Sequence, residues 1–197
     1  MKNLVYIIII IISSGCKTPI YQLAYGTDRD NEIDICITDS ENTEIKNLTN
    51  SNFTEYNFTW SSDGKKIYYT SYEDDGRKIK RIEVESKLIQ TLIQDTVIQS
   101  VSDVSKDETQ LIISTKDHHQ KGEFYIYNIV SDSKIRLTNN ELYEAGAKFS
   151  PDESTIVASI QTQAGDSIYR SGIAEIFTID INDFSKNQLT NLKGFNA

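Results

Sequence analysis

The feature that most limits how this chain can fold is a spacing. The aspartates of "SSDG", "SKDE" and "SPDE", at Asp63, Asp107 and Asp152, stand 44 and 45 residues apart. The leucines of "NLTN", "TLIQ", "RLTN" and "QLTN", at Leu48, Leu92, Leu137 and Leu189, keep intervals of 44, 45 and 52. The two series share one phase, because Trp60, Val104 and Phe149 each lie twelve residues after the preceding leucine. Asp39, Asn128 and Asp180 each lie nine residues before the leucine that closes their own unit. A fixed period of this length marks an architecture in which one supersecondary unit is stacked several times.

Within a unit the residues read as four short β-strands, a to d. In the second unit these are "NFTWS", "KKIYYTS", "KIKRIEV" and "LIQTLI". β-Branched and aromatic residues dominate them, and "SSDGK" and "EDDGR" supply turns. In the first unit Ile33, Ile35 and Ile37 fall on one face of a strand, with Asp34, Cys36 and Thr38 on the other. No window carries an apolar stripe at i, i+3, i+4 and i+7 long enough for an amphipathic helix. Four strands in about 44 residues is the period of a β-propeller blade.

"WSSDGKKIYYTS", "FSPDESTIVAS", "AYGTDRDNEIDICITD" and the "LTN" endings resemble the WD40-like repeats of the TolB propeller family. Units there read approximately as aromatic-Ser-Pro-Asp-Gly-Lys, an apolar strand, Ser-Asp-Arg-Asp-Gly, Glu-Ile-Tyr, then Asp and Leu-Thr. The likeness covers about residues 21–197 and implies an all-β propeller of four-stranded antiparallel blades, about four of them. The units fall near 21–50, 51–94, 95–139 and 140–191. The unit at 101–138 departs most, since "VSKDET" has neither the aromatic nor the glycine. The first unit begins at strand b, "YQLAYGT", and the aromatic opening a further unit would fall at 201, past Ala197. The expectation is a partial or incompletely closed ring, completed by a partner or belonging to a truncated member. Such blades serve scaffolds, translocation partners and enzyme-attached gates alike, so the resemblance speaks for fold more than for function.

Residues 1–15 read as an export signal and are set apart from the fold. Lys2 precedes an unbroken apolar run from Leu4 to Ile12. As a helix that run spans only about 14 Å, well short of the ~30 Å hydrocarbon core. Ser13, Ser14 and Gly15 before Cys16 resemble a bacterial lipobox, with Ser13 where leucine is usual. That resemblance implies a diacylglyceryl group on the Cys16 thiol, cleavage before it, and a tether over 16–20. Several acyl chains hold a protein on a membrane essentially permanently. The expected location is the cell envelope, on the outer membrane's periplasmic side or at the surface. A formal charge of −9 and a pI near 4.7 argue against nucleic acid and against docking on anionic lipid. With Cys16 lipidated, Cys36 has no disulfide partner and reads as a small buried hydrophobe.

The candidate chemical motifs have plainer readings. Ser and Asp in "SSDG" (61–64) and "SPDE" (150–153) accept backbone N–H groups in a turn, and Gly64 can take φ > 0. "GDSI" (165–168) has no glycine at the position a nucleophile elbow needs and falls in a b–c loop. His118 and His119 are neighbours on another b–c turn, where two side chains rarely converge on one metal. "DRDNEID" (28–34) gathers carboxylates, but Ile33 stands where a calcium loop of the EF-hand type requires glycine. Asn47, Asn52 and Asn57 each open an Asn-x-Thr sequon. Their segment, "NLTNSNFTEYNFTW", is polar and aromatic and is expected at the mouth of the ring, where a ligand would bind.

The sequence thus predicts no catalytic residue, cofactor or metal ligand, and one lipid-attachment residue, Cys16. The expected function is a non-enzymatic envelope lipoprotein that binds another envelope protein or a peptide. The alternative is the propeller module of an envelope enzyme, either a prolyl-oligopeptidase-like peptidase or a lyase.

Overall fold

The computed structural model describes residues 22–29, 32–39, 45–165 and 172–194. Cys16, the apolar run and the tether lie outside the described residues, as do Asp166 to Ile168 of "GDSI".

The described residues form four antiparallel sheets, and no helix occurs among them. The first has three strands, β1 (Gln22–Arg29), β2 (Glu32–Asp39) and β3 (Ile45–Asn47). The second holds β4 (Thr54–Trp60), β5 (Lys66–Glu73), β6 (Gly76–Glu83) and β7 (Ile89–Gln94). The third holds β8 (Ile98–Val104), β9 (Gln110–Thr115), β10 (Glu123–Asn128) and β11 (Ser133–Arg136). The fourth holds β12 (Glu144–Phe149), β13 (Thr155–Gln163), β14 (Ile173–Asp180) and β15 (Lys186–Gln188). Each sheet is a meander in chain order, and among the described residues the first has strands b to d only, in line with the sequence reading. Strand a of the second blade starts three residues earlier than "NFTWS" indicates. A bulge at Asn57, with φ at 48°, lets the strand pair on both sides of it.

The core lies between blades rather than inside any one of them. Ile35, Ile37 and Leu48 of blade 1 meet Ile67, Tyr69 and Ile82 of blade 2. Tyr68 and Ile79 of blade 2 meet Val101, Leu111 and Ile113 of blade 3. Ile112, Phe124 and Ile126 of blade 3 meet Ala147, Ile156 and Ile179 of blade 4. Successive side chains of a strand point to opposite faces, so a continuously apolar strand b or c serves two cores at once. That is why "IYYTS" and "LIIST" are buried on both sides. The inner strands β4, β8 and β12 touch in succession. Among the described residues, no substantial strand contact returns from blade 4 to blade 1, so the blades form an open arc.

Candidate functional site

The a–b turns come first, because the sequence singled them out. In each, a serine hydroxyl donates to an aspartate two residues on: Ser61 to Asp63 at 2.7 Å, Ser105 to Asp107 at 2.7 Å, Ser150 to Asp152 at 2.6 Å. The aspartates accept the N–H of Lys65, Thr109 and Ser154, and the serines accept those of Lys66, Gln110 and Thr155. These hydroxyls are occupied as turn hardware, and the unit without aromatic or glycine has the same geometry. Gly64, Glu108 and Glu153 all take positive φ, at 69°, 59° and 58°. A glutamate there is strained by about 1 kcal/mol relative to glycine. Its carboxylate offsets this by reaching another blade. Glu108 accepts Lys66 Nζ at 2.9 Å and the Tyr68 hydroxyl, and Glu153 accepts the N–H of Lys106. The serine and backbone bonds hold Asp63, Asp107 and Asp152 below the usual carboxylate range, Asp152 at about 2. The turns therefore lose stability as pH falls below about 3.8.

At the opposite end of the strands, the b–c and d–a connections carry a set of residues that sequence reasoning missed. The threonine of each "LTN" accepts a strand-c N–H through its hydroxyl: Thr49 from Ile35 at 3.0 Å, Thr138 from Phe124 at 2.9 Å, Thr190 from Ile176 at 2.9 Å. Each hydroxyl then donates to a carboxylate, Thr49 to Asp34, Thr138 to Glu144 and Thr190 to Glu175. The repeat phase contains the signal. Asp34, Lys78, Glu123 and Glu175 stand fourteen residues before their leucines, and Glu55, Gln99 and Glu144 seven after. Blade 2 breaks the pattern at every position, with Lys78, Ile93 and Gln99.

Glu55 and Glu144 are held protonated more readily than an exposed glutamate, chiefly because burial penalises the charge. Glu55 is 1% exposed, and its Oε1 accepts Ser51 at 2.6 Å while Oε2 has no hydrogen-bond partner. A raised carboxyl binds its proton more tightly in the folded state, so its stabilising contribution is present below pH 4.5 and is lost as pH rises through the folded value. Glu55→Gln, which copies Gln99, is expected to unfold at a higher urea midpoint than the parent at pH 7. The gap should close toward pH 4, and an unchanged gap across that range would contradict the assignment.

Along the inner strands, one repeat position gathers three blades. Thr59, Asp103 and Lys148 each directly precede the inner-strand Trp60, Val104 and Phe149. Asp103 Oδ1 accepts Thr59 Oγ1 at 2.9 Å and Lys148 Nζ at 3.1 Å, and Oδ2 accepts the N–H of Phe149 at 2.9 Å. Lys148 Nζ also reaches Thr59 Oγ1 at 3.0 Å, so a blade 4 side chain touches blade 2.

The loop end also carries an exposed cluster of aromatic and cationic side chains. The Arg77 guanidinium lies 5.9 Å from the Tyr56 ring centre and 5.2 Å from that of Tyr72, and Lys121 Nζ lies 5.2 Å from Tyr143. Gln99 organises the site, its carbonyl accepting Tyr56 Oη at 3.2 Å and Arg77 at 3.3 Å. Gly122 packs against the Gln99 amide at φ 88°, where a Cβ would stand 1.7 Å from Oε1. Any other residue would have to displace the Gln99 amide and would be strained at that φ. Tyr72 and Tyr143 are 55% and 59% exposed. The predicted loop segment contributes Tyr56, while Asn52 and Asn57 point to solvent.

The remaining candidates separate. His118 Nδ1 bonds Tyr125 Oη at 2.6 Å, whereas His119 Nδ1 accepts the N–H of Lys121, so the two rings serve different partners. Asp34 belongs to the Thr49 arrangement, and Asn47 donates to it at 2.6 Å. β1 and β2 pair antiparallel through Arg29 and Glu32, and Asp30 and Asn31 of that segment lie outside the described residues. Cys36 is fully buried. Among the described residues no group of three or more His, Cys, Asp or Glu side chains is placed to hold a metal ion.

No family model matches the sequence, and no curated protein matches it. Among solved structures the chain is similar to TolB from Acinetobacter baumannii, at 19% identity and a TM-score of 0.76, over 89% of this chain and 43% of that one. It is also similar to a TolB-type protein of Agrobacterium tumefaciens, at 16% identity and a TM-score of 0.73, over 88% of this chain and 62% of that one. The fold is a partial β-propeller. A third likeness is to the β-propeller domain of the trilobed protease from Pyrococcus furiosus, with its open velcro topology, at 18% identity and a TM-score of 0.55, over 86% of this chain and 54% of that one. This propeller spans less than two thirds of the length of each of the three.

Proposed function

We propose that the chain is a non-enzymatic lipoprotein of the cell envelope, anchored through Cys16, whose blades present a surface for an envelope protein or peptide. The observation that carries this reading is a pair of cation–π contacts on the loop end, the exposed Tyr72 with Arg77 and the exposed Tyr143 with Lys121. Tyrosine and arginine are the residue types that concentrate binding energy at protein interfaces. Here the Gln99 carbonyl holds Arg77 and Tyr56 in place, which lowers the ordering cost of association.

The test combines a Tyr72→Ala/Tyr143→Ala double variant with quantitative co-purification from native envelopes. Partner recovery is expected to fall by at least about thirtyfold, equivalent to ~2 kcal/mol for one hot spot, with an unchanged melting temperature. Unaltered recovery would remove the loop end as the binding surface. For the anchor, fatty-acid labelling is expected in the parent and lost in Cys16→Ala, and equal labelling would exclude lipidation there.

The likeness to a protease's propeller domain favours a second reading, in which these blades gate a hydrolase. That reading requires a peptidase domain in the same reading frame or bound to the arc. Peptide hydrolysis that co-purifies with the parent protein, and survives the double variant, would favour it.

A further inference from the structure

The blade 2–blade 3 junction is where the repeat breaks, and a cleft of about 350 Å³ opens at that junction. In blades 1, 3 and 4 the chain leaves strand d at the leucine, whose N–H donates to strand c, and the following threonine turns it inward. Blade 2 has Ile93 in the threonine position. Strand β7 instead bulges at Leu92 and keeps pairing with β6 through Ile93 and Gln94. The outer strand therefore runs on beside its own blade rather than turning onto the next one. The gap this leaves is the cleft.

Its apolar surface is supplied by the partly buried Leu92 and Ile93, which pack on the buried Ile98, Ile113 and Tyr127 of blade 3. Its rim is charged, with Asp95 and Asp132 exposed to solvent. Among the described residues Lys134 is the one cation lining it, and that ammonium is already paired with Asp117. Asp132 is held in place by the Tyr127 hydroxyl at 2.6 Å. The rim thus keeps an excess of negative charge beside that apolar surface. The cleft is also of the size at which small-ligand sites begin, about 300 Å³.

We propose that this cleft is a binding site for an amphipathic cation, a small apolar group seated on Leu92 and Ile93 with its positive head between Asp95 and Asp132. The site is lined by the end of β7, the connection that follows it and blade 3, shares no residue with the Tyr72–Arg77 and Tyr143–Lys121 contacts, and does not depend on the function proposed above. The chemistry has two sources, a free aryl-alkyl amine or a peptide with an aromatic residue beside a lysine.

The experiment follows the isoleucine methyl resonances of the full-length protein during titration. The probes are 3-phenylpropylammonium, its neutral analogue 3-phenylpropanol, and the peptide acetyl-Gly-Phe-Lys-Gly-amide. Saturable shifts at Ile93, Ile98 and Ile113 are expected, with a Kd of about 0.1–1 mM for a ten-atom ligand. The neutral analogue should bind about fivefold to tenfold more weakly, the scale of one rim ion pair. Asp95→Asn and Asp132→Asn should each shrink that preference, and Gln94→Trp should block the cleft. Gln94 and Asp95 are exposed, so these variants retain the fold, as an unchanged melting temperature would verify. Tighter binding of the peptide assigns the source to a protein segment, and tighter binding of the amine assigns it to a small molecule. The proposal is overturned by a lack of saturation up to about 10 mM, by equal affinity for the cation and the alcohol, or by affinities that ignore all three variants.

Discussion

Replacing Asp103 with alanine is expected to destabilise the protein by about 3 kcal/mol, near the upper end for hydrogen bonds to a charged group. One carboxylate serves three groups there: the Thr59 hydroxyl of blade 2, and both the Lys148 ammonium and the Phe149 N–H of blade 4. Alanine leaves the Phe149 N–H without its acceptor and the Lys148 ammonium without its counter-charge, where Asp103 is only 15% exposed. For a domain of this size the melting temperature should drop by roughly 6–12 °C. Asp103→Asn keeps one acceptor oxygen and should recover part of the loss, and Lys148→Met in the Asp103→Ala background should cost little more. A drop below about 1 kcal/mol would mean that the three inner strands are held by apolar packing alone.

The second large effect compares one repeat position across the arc. Leu48 and Leu137 are each 3% exposed beneath the next blade, whereas Leu189, the same position in blade 4, is 54% exposed. Leu48→Ala and Leu137→Ala should each cost about 3 kcal/mol, the usual toll for emptying a buried leucine site. Leu189→Ala should cost less than about 1 kcal/mol, because most of that side chain already meets water. Urea unfolding of the three variants checks this directly. A cost at Leu189 equal to the other two would show that a further element covers blade 4 in solution, and that the arc is closed there.

Much of the architecture was legible because the repeat reports it twice. The period locates the blades, and the residue alternation within "IDICITD" and "KKIYYTS" locates the strands. The Ser-Asp turns were legible for a local reason: their bonds join residues two to five apart, so the motif contains its own partners. The Thr-carboxylate arrangement was not, although its residues keep the repeat phase. Thr138 needs Phe124 from strand c and Glu144 from the next blade, and no local rule brings those three together. The loop-end cluster was legible only in part. The segment around Tyr56 was expected at the mouth of the ring, but Tyr72, Arg77 and Gln99 reach it from other strands.

The sequence by itself determined the strand content, the period and the chemistry of the a–b turns, all of which depend on spacing or on near neighbours. The tertiary structure decided what lies between blades. It put Asp103 against two other blades, buried Glu55 beside hydroxyl donors, and opened a cleft where Ile93 replaces a threonine. The Asp103 junction, for one, depends on side chains 44 and 89 residues apart coming within about 3 Å, the reach of a hydrogen bond. Only the stacking of one sheet on the next sets that distance.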